Sequence, residues 1–442
     1  MLQRFTDYLS QQHLLPDGGE VLLAVSGGRD SVCMAHLFHR AAIPFAIAHC
    51  NFHLRPGDCD RDQQFVCQLA DTLGVTFFTT DFDTRRFAAD RGMGIEEAAR
   101  TLRYDYFAQL CRQHGFACVA TAHHRDDSIE TFFLNLFRGT GIAGLHGIRP
   151  LSTLGDMLLV RPMLCFSRAD IDDYVRRHGL DYVEDVTNGQ LDARRNRIRL
   201  QLMPLLRELY PSVDDTMVDN MERLQQVETV YNLAVNDLRR SLLHTSRSPF
   251  GFKYTWLDTA SLPPLYPLST LSFGLLHPFG FTPSTVADMV RAMRSGQTGA
   301  RFLASDYVAV LDRNRLVVAD RRSLPPAPTV QAVPLAPSDV PPFGERHGVE
   351  YVDADLVHAP LSVRRWRHGD RFCPLGMHHQ RRLSDFLKDS KINLIEKDCV
   401  HVLVDADDRI VWVIGLRLDH RFRVTSATRR VLRLSVSSDP LA

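Results

Sequence analysis

Ala24 to Ser31 reads AVSGGRDS, with two glycines and an acid set between an apolar run and a segment of helical length. Backbone N–H groups approach an anion closely only where side chains are removed, and a helix N-terminus then points partial positive charge at that anion. The hexapeptide SGGRDS has those parts directly after the apolar run EVLLAVS (20–26). It lacks the lysine of G-x-x-x-x-G-K-[ST] and does not match G-x-G-x-x-G, so neither a Walker nucleotidase nor a dinucleotide fold is indicated. Ser26 and Ser31 offer hydroxyls, and Asp30 offers a carboxylate to a magnesium ion that offsets phosphate charge. The same residues suit a plain glycine turn in which Asp30 or Ser31 caps the helix, and the hexapeptide alone does not separate the two uses.

Working outward, 20–26, PFAIAHCNF (44–52), VTFFTTDF (75–82) and FACVATAHH (116–124) are short, apolar and β-branched or aromatic, whereas 31–41, 58–74, 95–114 and 125–138 have helical length and periodicity. This rhythm predicts an α/β fold, a parallel sheet with helices on both faces and ligands at the carboxyl ends of the strands. From about 200 to 300 the pattern turns predominantly helical. Seven prolines between 325 and 342 predict a semi-rigid spacer. Beyond it, VEYVDADL, LSVRRW, VHVLVD and RIVWVIGLRL read as short strands. The expected domains are a catalytic domain at 1–210, a mainly helical middle domain at 211–324, a Pro-rich linker at 325–344 and a small β-rich α+β C-terminal domain at 345–442.

The 442 residues suggest roughly three domains at about 150 each. Fifty-two basic and 52 acidic residues cancel, so any case for a nucleic-acid partner must be local. Arg4 and Asp7 interrupt what a signal peptide keeps apolar, and no run of about 18 apolar residues occurs, which predicts a cytoplasmic chain with no membrane association. Nine cysteines without one C-x-x-C fit reduced, mostly buried thiols better than a zinc ribbon or a cluster site.

AVSGGRDS resembles the S-G-G-x-D-S signature of the PP-loop ATP pyrophosphatases, which cleave ATP between the α- and β-phosphates and use the adenylate to activate a carbonyl-type oxygen. Further stretches narrow the resemblance. ATAHHRDDSIET (120–131) is similar to the A-T-A-H-H-x-D-D-Q-x-E-T segment of the tRNA(Ile)-lysidine synthase family, with Ser128 where that family has Gln. At helical spacing Asp126, Asp127 and Glu130 share a face near the helix start. Acids there are also favoured by the helix dipole alone, and a His-His-x-Asp-Asp cluster also suits a hydrolytic metal site. GIEEAARTLRYDYF (94–107) resembles the E-x-A-R-x-x-R-Y helix, and its spacing places Glu96, Arg100 and Arg103 on one face, as in an exposed salt-bridge ladder. HCNFHLRPGD (49–58) is similar to H-x-N-H-x-L-R, with His49 suited to the core and His53 and Arg55 as further candidates.

EDVTNGQLDARRNRIRLQLMPLL (184–206) resembles the family's D-x-T-N…R-N-x-I-R motif through Asp185, Thr187, Asn188, Arg195, Asn196 and Arg199. From 192 to 208, Arg194, Arg195, Arg197, Arg199 and Arg207 against Asp192 and Glu208 leave a local excess of three positive charges, and arginine forks suit phosphate oxygens. LSVRRWRHGDRFCPLGMHHQRRLSDFLKDSKI (361–392) resembles the C-terminal G-D-R-F-x-P-x-G-M…L-S-D-F-L…K-I block, with Asn393 in place of a proline and His378-His379 in place of a more glycine-rich stretch. Arg364, Arg365, Arg367 and Arg371 oppose Asp370 there, and Trp366 is expected to pack.

The resemblance implies an ATP-dependent ligase. AMP is joined to the C2 oxygen of the wobble cytidine in the CAU anticodon of tRNA(Ile), and the ε-amine of free L-lysine displaces it. Ser26, Gly27, Gly28, Arg29, Asp30 and Ser31 would hold ATP, and Asp30, Asp126 and Asp127 would hold Mg2+. Asp30, Asp127, Glu130, Arg100 and Arg103 form the expected catalytic set, with Glu130 or a neighbouring acid acting on the lysine amine. Arg194, Arg195, Asn196, Arg199, Arg365 and Arg371 would meet tRNA, and a homodimer is left open. Two rivals stand beside this. A tRNA cytidine 2-thiolase would need paired cysteines that the chain lacks, and a non-catalytic tRNA-binding protein would have no need of intact SGGRDS and HHRDD motifs.

Overall fold

The computed structural model describes residues 1–16, 18–54, 58–184, 194–262, 267–341 and 348–437, and the chain divides into two compact units, Met1–Val230 and Tyr231–Ala442. In the first unit, β1 (Val21–Ala24), β2 (Phe45–Asn51), β3 (Phe77–Asp81), β4 (Cys118–Ala120), β5 (Leu151–Leu154) and β6 (Met157–Val160) form one sheet in the order β3-β2-β1-β4-β6-β5. All neighbours are parallel except β5, which runs antiparallel to β6 at the edge. The four strands read from sequence are present. The β5–β6 hairpin was not foreseen, because each arm is only four residues long and the turn rests on a single Gly155 at φ 59°.

Strand side chains alternate between faces, so each face receives its own core. Val21, Leu23, Phe45, Ile47, Cys118 and Ala120 pack against Cys33, Met34, Leu37 and Phe38 of α2 (Arg29–Arg40), Val66 and Ala70 of α3 (Asp58–Leu73) and Ile171, Tyr174 and Val175 of α7 (Arg168–His178). Leu22, Ala46, Ala48, Val119 and Leu159 face the other way, onto Tyr104, Phe107 and Leu110 of α5 (Ile95–His114). Each fully buried Leu or Phe contributes about 1.5–3 kcal/mol. The α/β architecture with helices on both faces is therefore the one expected. β1 lies between β2 and β4, and α2, which follows β1, and α5, which leads into β4, pack on opposite faces, so the carboxyl ends of β1 and β4 open a crevice. Into it project the start of α2 and the start of α6 (Arg125–Arg138).

A further stretch of the first unit runs through a short helix at Arg194–Arg197, a π-helical turn at Ile198–Leu202 and a helix at Met203–Leu209. Ile198 and Met203 join Ile129 and Met221 in a small cluster that fastens this stretch to α6. A thirty-residue helix, Val213–Leu242, follows.

In the second unit the middle region is helical at Leu268–Leu276 and Pro283–Ser295, and it also holds a five-stranded antiparallel sheet built from Leu243–Arg247, Lys253–Asp258, Arg301–Leu303, Tyr307–Asp312 and Arg315–Asp320. That sheet escaped the sequence reading because its strands are short and flank the two helices. Part of the Pro-rich segment also departs from a spacer: Thr329–Leu335 is an edge strand paired to Val431–Ser437. An edge has one side without ladder bonds to make, which is where a proline such as Pro334 is tolerated. The remaining short strands of the C-terminal region follow the expected β-rich character. Trp366 packs, its indole N–H donating to Lys397 O at 2.8 Å. Asn393 caps the helix Leu394–Asp398, accepting from the N–H groups of Ile395 and Glu396 at 3.0 Å, while its own N–H donates to Glu396 Oε2 at 2.8 Å. The eight described cysteines are free thiols, and no described helix is long and apolar enough to cross a membrane.

Candidate functional site

The loop 25–28 leaves β1 at its carboxyl end, and Gly28 is the N-cap of α2. Gly27 has φ 91°, a conformation that side-chained residues rarely adopt, and a Cβ there would lie 3.3 Å from Val66 Cγ2. Val183 N–H closes over the loop by donating to Gly27 O at 3.0 Å. Ser26 Oγ accepts from Gly28 N–H at 3.3 Å and Ser31 Oγ donates to Gly28 O at 2.8 Å, so both hydroxyls brace the turn. In front of it lies a cavity of about 270 Å³ lined by Ser26, Gly28, Asp30, Ser31, Arg103 and Asp127 among others.

Asp30 and Asp127 thus face one space from two elements. Asp127 sits in the first turn of α6, fixed by a reciprocal cap in which His124 N–H donates to Asp127 Oδ2 at 3.1 Å and Asp127 N–H donates to His124 Nδ1 at 3.4 Å. Burial alone would raise the Asp127 carboxyl, but His124, its N–H and Arg195 outweigh it and hold the group below its usual range. At Asp30 burial prevails over His124 and Arg168, and its carboxyl is raised. Arg168, the first residue of α7, donates from Nη1 to both Asp30 oxygens at 2.9 and 3.1 Å. Burial lowers His123, on the same cavity, to about 4, so its ring is neutral at pH 7.

Asp126 does not share this cavity. Its Oδ1 accepts from Arg207 Nη2 at 2.8 Å and its Oδ2 from Arg168 N–H at 2.9 Å. Glu130, 2% exposed, is clasped by Arg195 Nε at 2.9 Å and by Arg199 through Nε at 2.6 Å and Nη2 at 2.9 Å. Two of the five arginines expected to meet tRNA, Arg195 and Arg199, therefore direct their forks to acids of the protein itself. Asp126, Glu130, Arg168, Arg199 and Arg207 are among the residues that line a second cavity of about 270 Å³.

Of the other sequence-predicted residues, Arg103 lies over Phe52 at 5.2 Å beside the first cavity and Arg100 lies exposed over Tyr104 at 5.0 Å. Arg29 turns aside to Asp172 and over Tyr182 at 4.7 Å. Arg194 is exposed and Asn196 half-buried. In the second unit Arg365 and Arg371 are exposed, whereas Arg364 grips Asp370 through both carboxylate oxygens at 2.9 and 3.0 Å. His49 is a core histidine whose Nδ1 meets Val25 O at 2.9 Å, and His53 Nε2 meets Asp81 at 2.8 Å. Ser128 Oγ accepts from Ile148 N–H at 2.8 Å, tying the following loop to α6. Arg55, Asp185, Thr187, Asn188 and Asp192 lie outside the described residues.

Sequence reasoning missed Arg168 and underused His124 and Arg207. SRAD (167–170) carries the N-cap signal of Ser167, but nothing local tells that the next side chain reaches Asp30. Every cation named around both cavities is arginine or histidine, and the chain has no lysine before Lys253.

The sequence pattern of the PP-loop domain matches residues 2–206, that of the TilS substrate binding domain residues 251–321 and that of the TilS substrate C-terminal domain residues 361–435. The chain is 36% identical to the tRNA(Ile)-lysidine synthase of Bacteroides thetaiotaomicron over 97% of its own length and 98% of that protein. Identity to the tRNA(Ile)-lysidine synthase of Parabacteroides distasonis is also 36%, over 98% and 99% of the two chains, and to that of Porphyromonas gingivalis W83 it is 31% over 96% of each. A PP-loop built on β1 and α2, extended across the length of such relatives, has one reading: the chain belongs to the tRNA(Ile)-lysidine synthase family.

Proposed function

We propose that this enzyme joins L-lysine to C2 of the wobble cytidine in the CAU anticodon of tRNA(Ile), using ATP to adenylate the C2 oxygen first. The observation that carries the reading is the adjacency of two cavities, one lined by the PP-loop, Asp30 and Asp127, the other by a mixture of acids and guanidinium groups. The first suits a triphosphate. Ser26 and the opening turn of α2 present hydroxyl and backbone donors where charge grows on the α-phosphate. Arg103 supports the same charge, with Arg100 at the exposed rim. Asp30 and Asp127 are hard oxygen donors on one space, which fits a magnesium ion; when bound, that ion would neutralise phosphate charge. Asp126 does not fit this set, because it faces the second cavity.

The second cavity suits a zwitterion. Arg168, Arg199 and Arg207 complement a carboxylate, and the acidic edge that Asp126 contributes favours an ammonium group beside it. Adenylation turns the C2 oxygen into a leaving group; the ε-ammonium first gives up a proton to solvent, and attack by the resulting neutral amine forms the C2–N bond as the C2–O bond breaks and AMP departs. Glu130, clasped by two guanidinium groups, serves here to hold Arg195 and Arg199 beside Asp127, and Asp127 is the carboxylate that orients the incoming amine. Extruding the wobble base costs a few kcal/mol. Backbone contacts from exposed arginines, among them Arg194, Arg365 and Arg371, offset this.

Purified protein is incubated with ATP, Mg2+, labelled lysine and an unmodified CAU-bearing tRNA(Ile) transcript, and the RNA is digested. Label in a modified cytidine, lost in Asp30→Ala, is the expected result. AMP release with tRNA but no lysine label would keep the adenylating chemistry and overturn the nucleophile.

A further inference from the structure

Both oxygens of Asp30 are taken by one guanidinium nitrogen of Arg168, at 2.9 and 3.1 Å. Asp30 lines the first cavity and Arg168 the second, so this ion pair is part of the wall between them. The backbone of Arg168 is anchored independently of its side chain. Its N–H donates to Asp126, and Ser167 and Asp170 cap the helix reciprocally, Ser167 N–H donating to Asp170 Oδ2 at 2.9 Å and Asp170 N–H to Ser167 Oγ at 3.1 Å. The side chain is therefore free to change partner without moving α7. A second acid lies within reach, since Arg168 Nε is 3.3 Å from Asp172 Oδ1. A divalent cation that uses Asp30 competes with the guanidinium for the same two oxygens, and two cations on one partly buried carboxylate repel each other.

We propose that Arg168 is a positioning residue that exchanges with the divalent cation at Asp30, and that its release upon cation loading makes its guanidinium available to an anionic group in the second cavity. Filling the first cavity then favours filling the second, and by linkage the reverse holds equally. The two substrates, the nucleotide with its cation and the amino acid, therefore bind cooperatively. The inference rests on the function proposed above for the second cavity, but its first test does not.

That test is Mn2+ binding without nucleotide, lysine or tRNA, read by electron paramagnetic resonance. Arg168→Met is expected to bind Mn2+ about tenfold more tightly than the unaltered protein, and Arg168→Lys, which keeps a cation but not the fork, to fall between. The second test is calorimetry of L-lysine with and without magnesium and α,β-methylene-ATP. The unaltered protein is expected to gain about tenfold in lysine affinity when the analogue is present, and Arg168→Met to lose that gain. Equal or weaker Mn2+ binding by a folded Arg168→Met would overturn the exchange, as would an Arg168→Lys protein that matches it. Coupling retained in Arg168→Met would overturn the release. Failure of the ligase assay with an intact Mn2+ result would overturn the function alone.

Discussion

The chemistry of single side chains here is set by what each is buried beside. His123 is lowered to about 4 chiefly by burial, with Arg161, Arg195 and Arg100 adding to the effect against Asp127. An unfolded chain holds the same ring near 6.5, so as pH falls the unfolded state takes up the proton first. Stability from this group is complete above about 6.5 and is lost progressively toward pH 4. Chemical denaturation across that range should show His123→Asn with a shallower decline than the unaltered protein, and an identical decline would exclude the assignment. Glu130 gives a second case. Removing one partner of a buried pair costs about 3–5 kcal/mol, and since Arg195 and Arg199 are each about a third exposed, a double Arg195→Met, Arg199→Met protein should lose about 2 kcal/mol in urea. Adding Glu130→Gln should return most of it, because the charge left behind is the main penalty. Residue-level legibility followed sequence distance. Asp30 and Asp127 sat in local motifs, whereas Arg168 meets Asp30 from 138 positions away and Arg207 meets Asp126 from 81, and no spacing rule spans such gaps.

At the scale of elements, the strand–loop–helix unit was readable because its parts are contiguous: an apolar strand, glycines and a helix N-terminus. Gly27→Ala would force a Cβ into left-handed backbone against Val66, at about 1–2 kcal/mol for the conformation alone. The loop should shift, and calorimetry with α,β-methylene-ATP should show about a tenfold loss of affinity. Unchanged affinity would mean that the loop does not shape the nucleotide site. In the second unit Asn393→Pro would remove both the cap oxygen and the N–H that serves Glu396, which is 3% exposed. A loss of about 1–2 kcal/mol in thermal or denaturant unfolding is expected. The β5–β6 hairpin and the middle sheet were illegible for the opposite reason, since strands of three to six residues give too little alternation to stand out from neighbouring helices.

For the whole molecule, equal numbers of acids and bases conceal a strong local imbalance, and many arginines that look free in sequence are committed to internal pairs. Arg364 is one, whereas Arg365 and Arg371 of its cluster are exposed. Replacing both with Ala should weaken tRNA binding and reduce the steepness of its salt dependence by about two, with nucleotide-analogue binding unaltered. An unchanged salt slope would remove those arginines from the RNA surface. The choice of arginine over lysine has one more consequence. An adenylated cytidine would be an electrophile toward any neighbouring primary amine, and a lysine side chain in the wall of its own pocket would displace AMP and bond to C2, ending turnover with RNA fixed to protein. Guanidinium groups remain protonated and do not attack. With its first lysine at position 253, the entire first unit would offer such an intermediate no lysine side chain, so composition alone would guard it against that form of self-inactivation.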